Sequence, residues 1–232
     1  MKIILISKPS YTINEHQVLA DLFELGLESF HIRKPKFSKK EIIRYLERIP
    51  YMYRNRLILH SFYDLAEEFG VKGVHFTDDK KGSFKKKVLE ILKRKPLEKG
   101  IDYSSLQRSA SLHSLNQLAA CNENYDYVFL SPIFDSISKK RHKSLFKNKE
   151  KLRSTVLKSN QRVIALGGIN AEKIKDAQGM GFSGVALLGA IWKQPDPVEA
   201  FLKIKEECEL QTAQNFEMNV VQQTYRIKHS GT

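Results

Sequence analysis

The chain is poor in cysteine, in long apolar runs and in acidic residues, and each shortage excludes something. It has two cysteines, Cys121 and Cys208, in 232 residues. Two thiols cannot form the disulfide framework of a small secreted protein, and neither has a neighbour at metal-ligand spacing. Both read as reduced thiols, so the expected location is cytoplasmic. The N-terminus "MKIILISKPSY" contains an apolar run of only four residues, Ile3 to Ile6. A secretory signal needs about 7–15 apolar residues and a membrane helix about 20. No targeting segment and no membrane span are therefore expected. Asp and Glu number 26 against 39 Lys and Arg, a formal charge of +13. That excess suggests an anionic partner: a nucleic acid, an acidic surface or a phosphorylated metabolite. Much of it also reads as ordinary solvated helix surface.

What is present is alternation. Short runs rich in β-branched and aromatic residues recur: "IILI" from Ile3, "SFHIR" from Ser29, "LILH" from Leu57 and "GVHF" from Gly73. They continue with "RSAS" from Arg108, "YVFLS" from Tyr127, "VIALG" from Val163 and "GVALLG" from Gly184. The best are continuously apolar, as strands covered on both faces are. "RSAS" would pass for a loop on composition alone. Between the runs lie segments of helical period, such as "HQVLADLFELGL", "SKKEIIRYLERI" with a cap at Ser38, "FKKKVLEILKR" and "PVEAFLKIKEECEL". Eight strand–helix units over residues 1–210 predict a compact (β/α)8 TIM barrel in one domain, with a doubly wound open sheet as the alternative. From Gln211 the pattern stops. Residues 211–232 read as an appended C-terminal tail, with at most one short helix or strand.

The working face of such a barrel lies at the C-terminal ends of its strands. The residues found there are His31 and Arg33, then His60 and Ser61, then His75, Thr77, Asp78 and Asp79. Ser111 and His113 come next, then Asp135, Ser136, Ser138 and Lys139, and finally Gly167, Gly168 and Gly189. Acids are few, while imidazoles, hydroxyls and cations are many, which describes an anion site. "YVFLSPIFDSISKKRHK" shows it most clearly, since a buried strand runs straight into a cationic loop. In "ALGGIN" and "VALLGAI", glycines end a strand and open a helix. Glycine lets backbone approach a ligand closely, and a helix start presents free N–H groups. His75 lies inside a strand pattern and reads as structural.

These motifs, taken in order, resemble the thiamine phosphate synthase/TenI superfamily of small barrels. The resemblance runs through "FHIRK", "LILHSFYDLA", "GVHF", "SASLHS", "DYVFLSPIFDSISKK", "IALGGIN" and "GVALLGAI", over residues 1–207. It implies one of two activities. A synthase joins a hydroxymethylpyrimidine diphosphate to a thiazole phosphate with magnesium. A TenI-type tautomerase moves a proton on a thiazole carboxylate phosphate without metal, using a histidine. The resemblance implies phosphate contacts from Gly167, Gly168, Leu188 and Gly189. It also implies anion contacts from Arg33, Ser111, Ser136, Ser138 and Lys139, and a catalytic role for His113, the histidine of "SLHS". His31, His60 and Ser61 are further candidates.

Departures from the synthase pattern favour the tautomerase. The synthase's Asn-Asp after the third strand is His60-Ser61 here, and its second magnesium aspartate falls on Lys80. Its glutamine falls on His31 and its second basic residue on Pro35, leaving Lys34 or Lys36 to compensate. No cofactor is expected on the tautomerase reading. On the synthase reading Mg2+ would fall to Asp78 or Asp79. The expected partner is a small phosphorylated heterocycle, with a homodimer left open. A regulator or ligand sensor without activity is a further alternative. A nucleic-acid binder is disfavoured, because the basic residues are scattered over many helices and no aromatic-interleaved motif gathers them.

Overall fold

The computed structural model describes residues 1–77, 106–135, 144 and 146–229, with side chains up to residue 213. Eight parallel strands close into a barrel in chain order. They are β1 Lys2–Ile6, β2 Ser29–Ile32, β3 Leu57–Leu59, β4 Gly73–Phe76, β5 Gln107–Leu112, β6 Tyr127–Leu130, β7 Val163–Leu166 and β8 Gly184–Leu187. Closure is made by β1 against β8, with Lys2 opposite Gly184 and Leu5 opposite Leu187. The predicted TIM barrel is thus the fold, and "RSAS" lies within its longest strand, of six residues. Its hydroxyls suit a strand because they face other polar groups inside the barrel.

The helices begin with α1 Glu15–Glu24, α2 Lys39–Glu47, α3 Tyr51–Arg54 and α4 Leu65–Glu68. Then come α5 Leu115–Ala119, α6 Lys149–Lys158, a 3-10 turn Ala171–Lys173, α7 Ile174–Gly179, α8 Gly189–Trp192 and α9 Pro197–His229. The helix expected in "FKKKVLEILKR" lies outside the described residues. Ser38 caps α2 as its sequence indicates: its Oγ accepts from the Glu41 N–H, and its own N–H donates to Glu41 Oε2 at 2.7 Å. Such a cap contributes about 1 kcal/mol. The chain does not change character at Gln211, because α9 continues as one helix to His229. The amide-rich composition hid this, since the segment has no clear apolar stripe. Among the described residues no helix is long and apolar enough to cross a membrane.

Strand alternation creates two cores. Leu5, Phe30, Ile32, Leu59, Val128, Leu130, Val185 and Leu187 face outward and pack with Leu22, Phe23, Leu46 and Phe201 of the helices. Ile4, Ile6, Tyr127, Phe129, Ile164 and Ala186 face inward and fill part of the barrel.

One ion pair sits inside this packing. Lys34 Nζ donates to Glu15 Oε2 at 2.5 Å and to the Ser10 carbonyl at 3.0 Å, with both charged side chains fully shielded from solvent. The ammonium also lies 4.8 Å from the Tyr45 ring centroid. Burial pulls the Lys34 pKa below the usual lysine value, and Glu15 opposes that shift. The pair ties the chain after β2 to the start of α1. Removing one partner of a buried pair leaves an uncompensated charge. Glu15→Gln should therefore lower the unfolding free energy by about 3–5 kcal/mol, measured by urea denaturation. The double variant Glu15→Leu/Lys34→Met should recover most of that loss. Equal stability of Glu15→Gln and the parent would show that the pair does not hold this loop.

Candidate functional site

The inside of the barrel is divided. Strands β1, β6, β7 and β8 send in mainly apolar groups, Ile4, Ile6, Phe129, Ile164 and Ala186. The opposite arc, β2 to β5 and the residues just past them, sends in His31, His60, His75, Ser109 and Ser111. His31 and His75 have no solvent exposure, and the three imidazoles contact one another. His31 Nδ1 lies 2.9 Å from His60 Nε2, and His31 Nε2 lies 2.7 Å from the Tyr127 hydroxyl across the barrel. His75 places Nδ1 2.9 Å from Ser109 Oγ and Nε2 2.8 Å from Ser111 Oγ. The His60 and His75 rings stack with centroids 4.3 Å apart.

The backbone positions this cluster. The Tyr63 hydroxyl reaches the carbonyls of His60 at 3.0 Å and His75 at 2.9 Å, joining the end of β3 to β4. Phe62 turns the chain away just after Ser61 in the left-handed region, at φ 52°. A bulky residue held there costs on the order of 1–3 kcal/mol and signals an over-determined turn. Burial holds all three imidazoles neutral. It pushes His75 down to about 3, with the Arg33 charge adding to the effect. It holds His31 and His60 well below the usual imidazole value, and the neighbouring histidines lower both further.

Above this floor lies the rim. The Arg33 N–H donates to Ser7 Oγ at 2.8 Å, and its side chain is exposed. His113 lies just past β5 on the same rim and is also exposed, with Nδ1 3.2 Å from Ser131 Oγ. Ser61 is half-buried beside His60. Ser111 turns inward to His75. Leu188 is half-buried and packs on the interior cluster, and Gly189 opens α8. Gly167 and Gly168 adopt φ 95° and 68°. A Cβ on Gly168 would lie 2.3 Å from the Asp135 carbonyl oxygen, so the loop after β6 crosses this glycine pair. Ser136, Ser138 and Lys139 lie outside the described residues, as do Asp78 and Asp79. The ends of the cationic loop are nevertheless fixed at the rim: the Ser144 N–H donates to Asp135 Oδ1 at 2.7 Å, and Ser144 Oγ donates to the Ile133 carbonyl at 2.7 Å.

Two expectations change. Lys34 does not replace the missing basic residue at the rim, because it is buried against Glu15. His75, read as structural, is buried as expected, but it is also the third member of a cluster with two candidate site residues. Sequence reasoning missed Lys8, whose ammonium sits 5.6 Å from the Trp192 ring centroid near the ends of β1 and β8. It also missed Tyr127. The alternation of β6 could have shown Tyr127 as inward-facing, and Lys8 stands two residues past the end of β1, the same signal that marked the other rim candidates.

The magnesium implied by a synthase resemblance needs hard oxygen ligands, usually carboxylates with phosphate and water. Among the described residues, the ends of β3 and β4 offer His60, Ser61, His75 and Thr77, and no carboxylate. The described residues by themselves therefore do not fit magnesium, and Asp78 and Asp79 lie outside them.

Fold and site together define a (β/α)8 barrel with a cationic C-terminal rim over a polar floor, an arrangement suited to small anionic metabolites. Residues 3–191 match the thiamine monophosphate synthase family. The chain belongs to that family. A thiamine-phosphate synthase of Prochlorococcus marinus subsp. pastoris is 26% identical over 191 residues, which cover 82% of this chain and 48% of that protein. The chain thus spans about half the length of the Prochlorococcus relatives it matches. A solved thiamine phosphate pyrophosphorylase from Bacteroides thetaiotaomicron aligns with a TM-score of 0.71 at 29% identity, over 90% of this chain and 98% of that one. One from Pyrococcus furiosus aligns at 0.70 and 19% identity, over 90% and 96%, a likeness of fold alone.

The neutral imidazoles make stability depend on pH. Their folded pKa values lie below the unfolded value of about 6.5, so the unfolded chain binds more protons as pH falls. Stability is then full above about pH 7 and declines from about 6.5 downward, by about 1.4 kcal/mol per pH unit for each histidine. Urea unfolding from pH 7.5 to 4.5 in a chelating buffer checks this, with a shallower slope expected for His60→Asn. A flat profile would show that the cluster takes up protons while folded.

Proposed function

We propose that the barrel binds phosphorylated heterocycles at its C-terminal rim and makes thiamine phosphate from a hydroxymethylpyrimidine diphosphate and a thiazole phosphate. The observation that carries this reading is the family match across residues 3–191, with a Bacteroides relative of 29% identity named for that product. The bond broken would be the pyrimidine methylene C–O bond. Diphosphate would leave with the electron pair, and the thiazole nitrogen would capture the resulting carbon cation. Arg33, with Lys139 from the adjoining loop, supplies positive charge for the departing diphosphate. The half-buried loops at Gly167, Gly168, Leu188 and Gly189 are the proposed seat of the thiazole phosphate. No step is routed through magnesium.

One observation favours a second reading, proton transfer on a thiazole carboxylate phosphate. His113 is an exposed rim imidazole steadied by Ser131, and its Nε2 has no partner among the described residues. An imidazole is the side chain most often used to accept and donate protons in catalysis.

Incubation with both half-substrates, with and without Mg2+, should yield thiamine phosphate and diphosphate in equal amounts. Arg33→Ala should lower the rate by roughly 10- to 1,000-fold, the range seen when one charge-stabilising donor is lost. A parallel sample of the thiazole carboxylate phosphate in D2O, followed by proton NMR, tests the second reading. Absence of thiamine phosphate at every Mg2+ level, with exchange that His113→Asn abolishes, would replace the first reading by the second.

A further inference from the structure

The geometry points to a binding site for a divalent transition-metal ion, Zn2+ foremost, held by His31, His60 and His75 inside the barrel. It goes beyond the reaction proposed above and does not rest on it. One ring nitrogen from each histidine can be chosen so that all three lie within 4.8 Å of one another. In a tetrahedral zinc site with Zn–N of about 2.0–2.1 Å, ligand atoms stand about 3.3 Å apart. The longest separation therefore closes by about 1.5 Å through side-chain rotation, and the His31–His60 pair already lies at 2.9 Å.

Three further features support it. A ligating imidazole must be neutral, and burial keeps all three so. A ligating histidine also commonly fixes its second ring nitrogen through a hydrogen bond. His31 has Tyr127 for this at 2.7 Å, and His75 has a serine on either side, so one remains whichever nitrogen ligates. Finally, the buried Nδ1 of His60 has no hydrogen-bond partner among the described residues. The His60 ring is therefore hydrogen-bonded through Nε2 alone, and that nitrogen, 2.9 Å from His31 Nδ1, is the one that would turn to the ion.

The donor set also sets the selectivity. Three imidazoles suit Zn2+, Co2+, Ni2+ or Cu2+ and suit Mg2+ poorly. Three protein ligands leave a fourth tetrahedral position for water or a ligand heteroatom, as in catalytic rather than structural zinc sites. His60 is the only one of the three with any solvent exposure, so that position opens toward the rim.

The test uses the full chain, freed of metal by chelator and dialysis. Zinc titration by calorimetry should show one equivalent bound, and Co2+ should give the visible absorption of a tetrahedral site. X-ray absorption of the zinc form should show about three imidazole nitrogens near 2.0 Å. His60→Asn should weaken zinc binding at least 100-fold, while His16→Gln, outside the cluster, should leave it unchanged. Circular dichroism and the melting temperature in chelator establish that His60→Asn folds; if it does not, His31→Gln takes its place. A thousandfold excess of Mg2+ should not displace the zinc. Failure to bind one equivalent, binding that survives loss of a cluster histidine, or displacement by Mg2+ would each overturn the inference.

Discussion

Everything at this site depends on the period-two alternation of strands in a closed parallel barrel. Each strand sends every second side chain into a space with little room for water, so polar groups there must satisfy one another. Ser29 and His31 of β2, His75 of β4, Ser109 and Ser111 of β5 and Tyr127 of β6 all hold inward positions. The pairings Ile6–His31, His31–Ile58 and His75–Ser109 bring these residues to neighbouring heights. A slip of one residue in β2 would exchange His31 for Phe30 or Ile32. It would bury an imidazole against the helices and remove the partner of both His60 and Tyr127. The register therefore specifies the cluster, and the cluster penalises other registers.

The large positive charge is sorted by depth. Lys34 is withdrawn from the rim and serves the fold, paired with Glu15 beneath the loop it anchors. Arg33, one residue earlier, points the other way because strand direction alternates, and it stays exposed. Lys8 rests on Trp192, whose indole N–H donates to the Ile6 carbonyl at 2.7 Å and so secures the β1–β8 seam. Below this cationic rim, burial keeps the imidazoles neutral, and the Arg33 charge acts in the same direction on His60 and His75. Cations at the rim over a neutral, polar floor put positive charge at the mouth without burying an unpaired charge in the barrel.

Much of this was legible in the sequence. The eight runs marked the eight strands, and rim residues such as Arg33, His113 and the glycines could be placed because each stands just past the end of a run. What could not be read is where side chains meet. His75 looked structural because a strand interior is usually packing, and burial alone agrees with that view. Only the register, which no local pattern encodes, shows it beside His60. Lys34 looked like a rim cation because its partner, Glu15, lies 19 residues away on another element. The end of the helical pattern at Gln211 misled for a different reason. Amphipathic periodicity reports burial on one face, and α9 continues where that one-sided burial is no longer written in the sequence.

The glycine pair shows why the site must be argued from the histidines rather than from the loops. Gly167 and Gly168 would be required without any ligand, since side chains there would strike Pro132 and Asp135 of the neighbouring loop. Their presence therefore says little about phosphate. His31 and His60 are different, because they stand where the synthase resemblance expects Gln and Asn, and they touch each other. Changing either one alone would set a buried imidazole against an amide and alter the hydrogen bonding to Tyr127 or the ring stacking on His75. The two departures thus form one physical unit with His75, and they replace oxygen-bearing side chains by nitrogen donors at a single place. That replacement alters the chemistry of the floor while the rim keeps its positive charge.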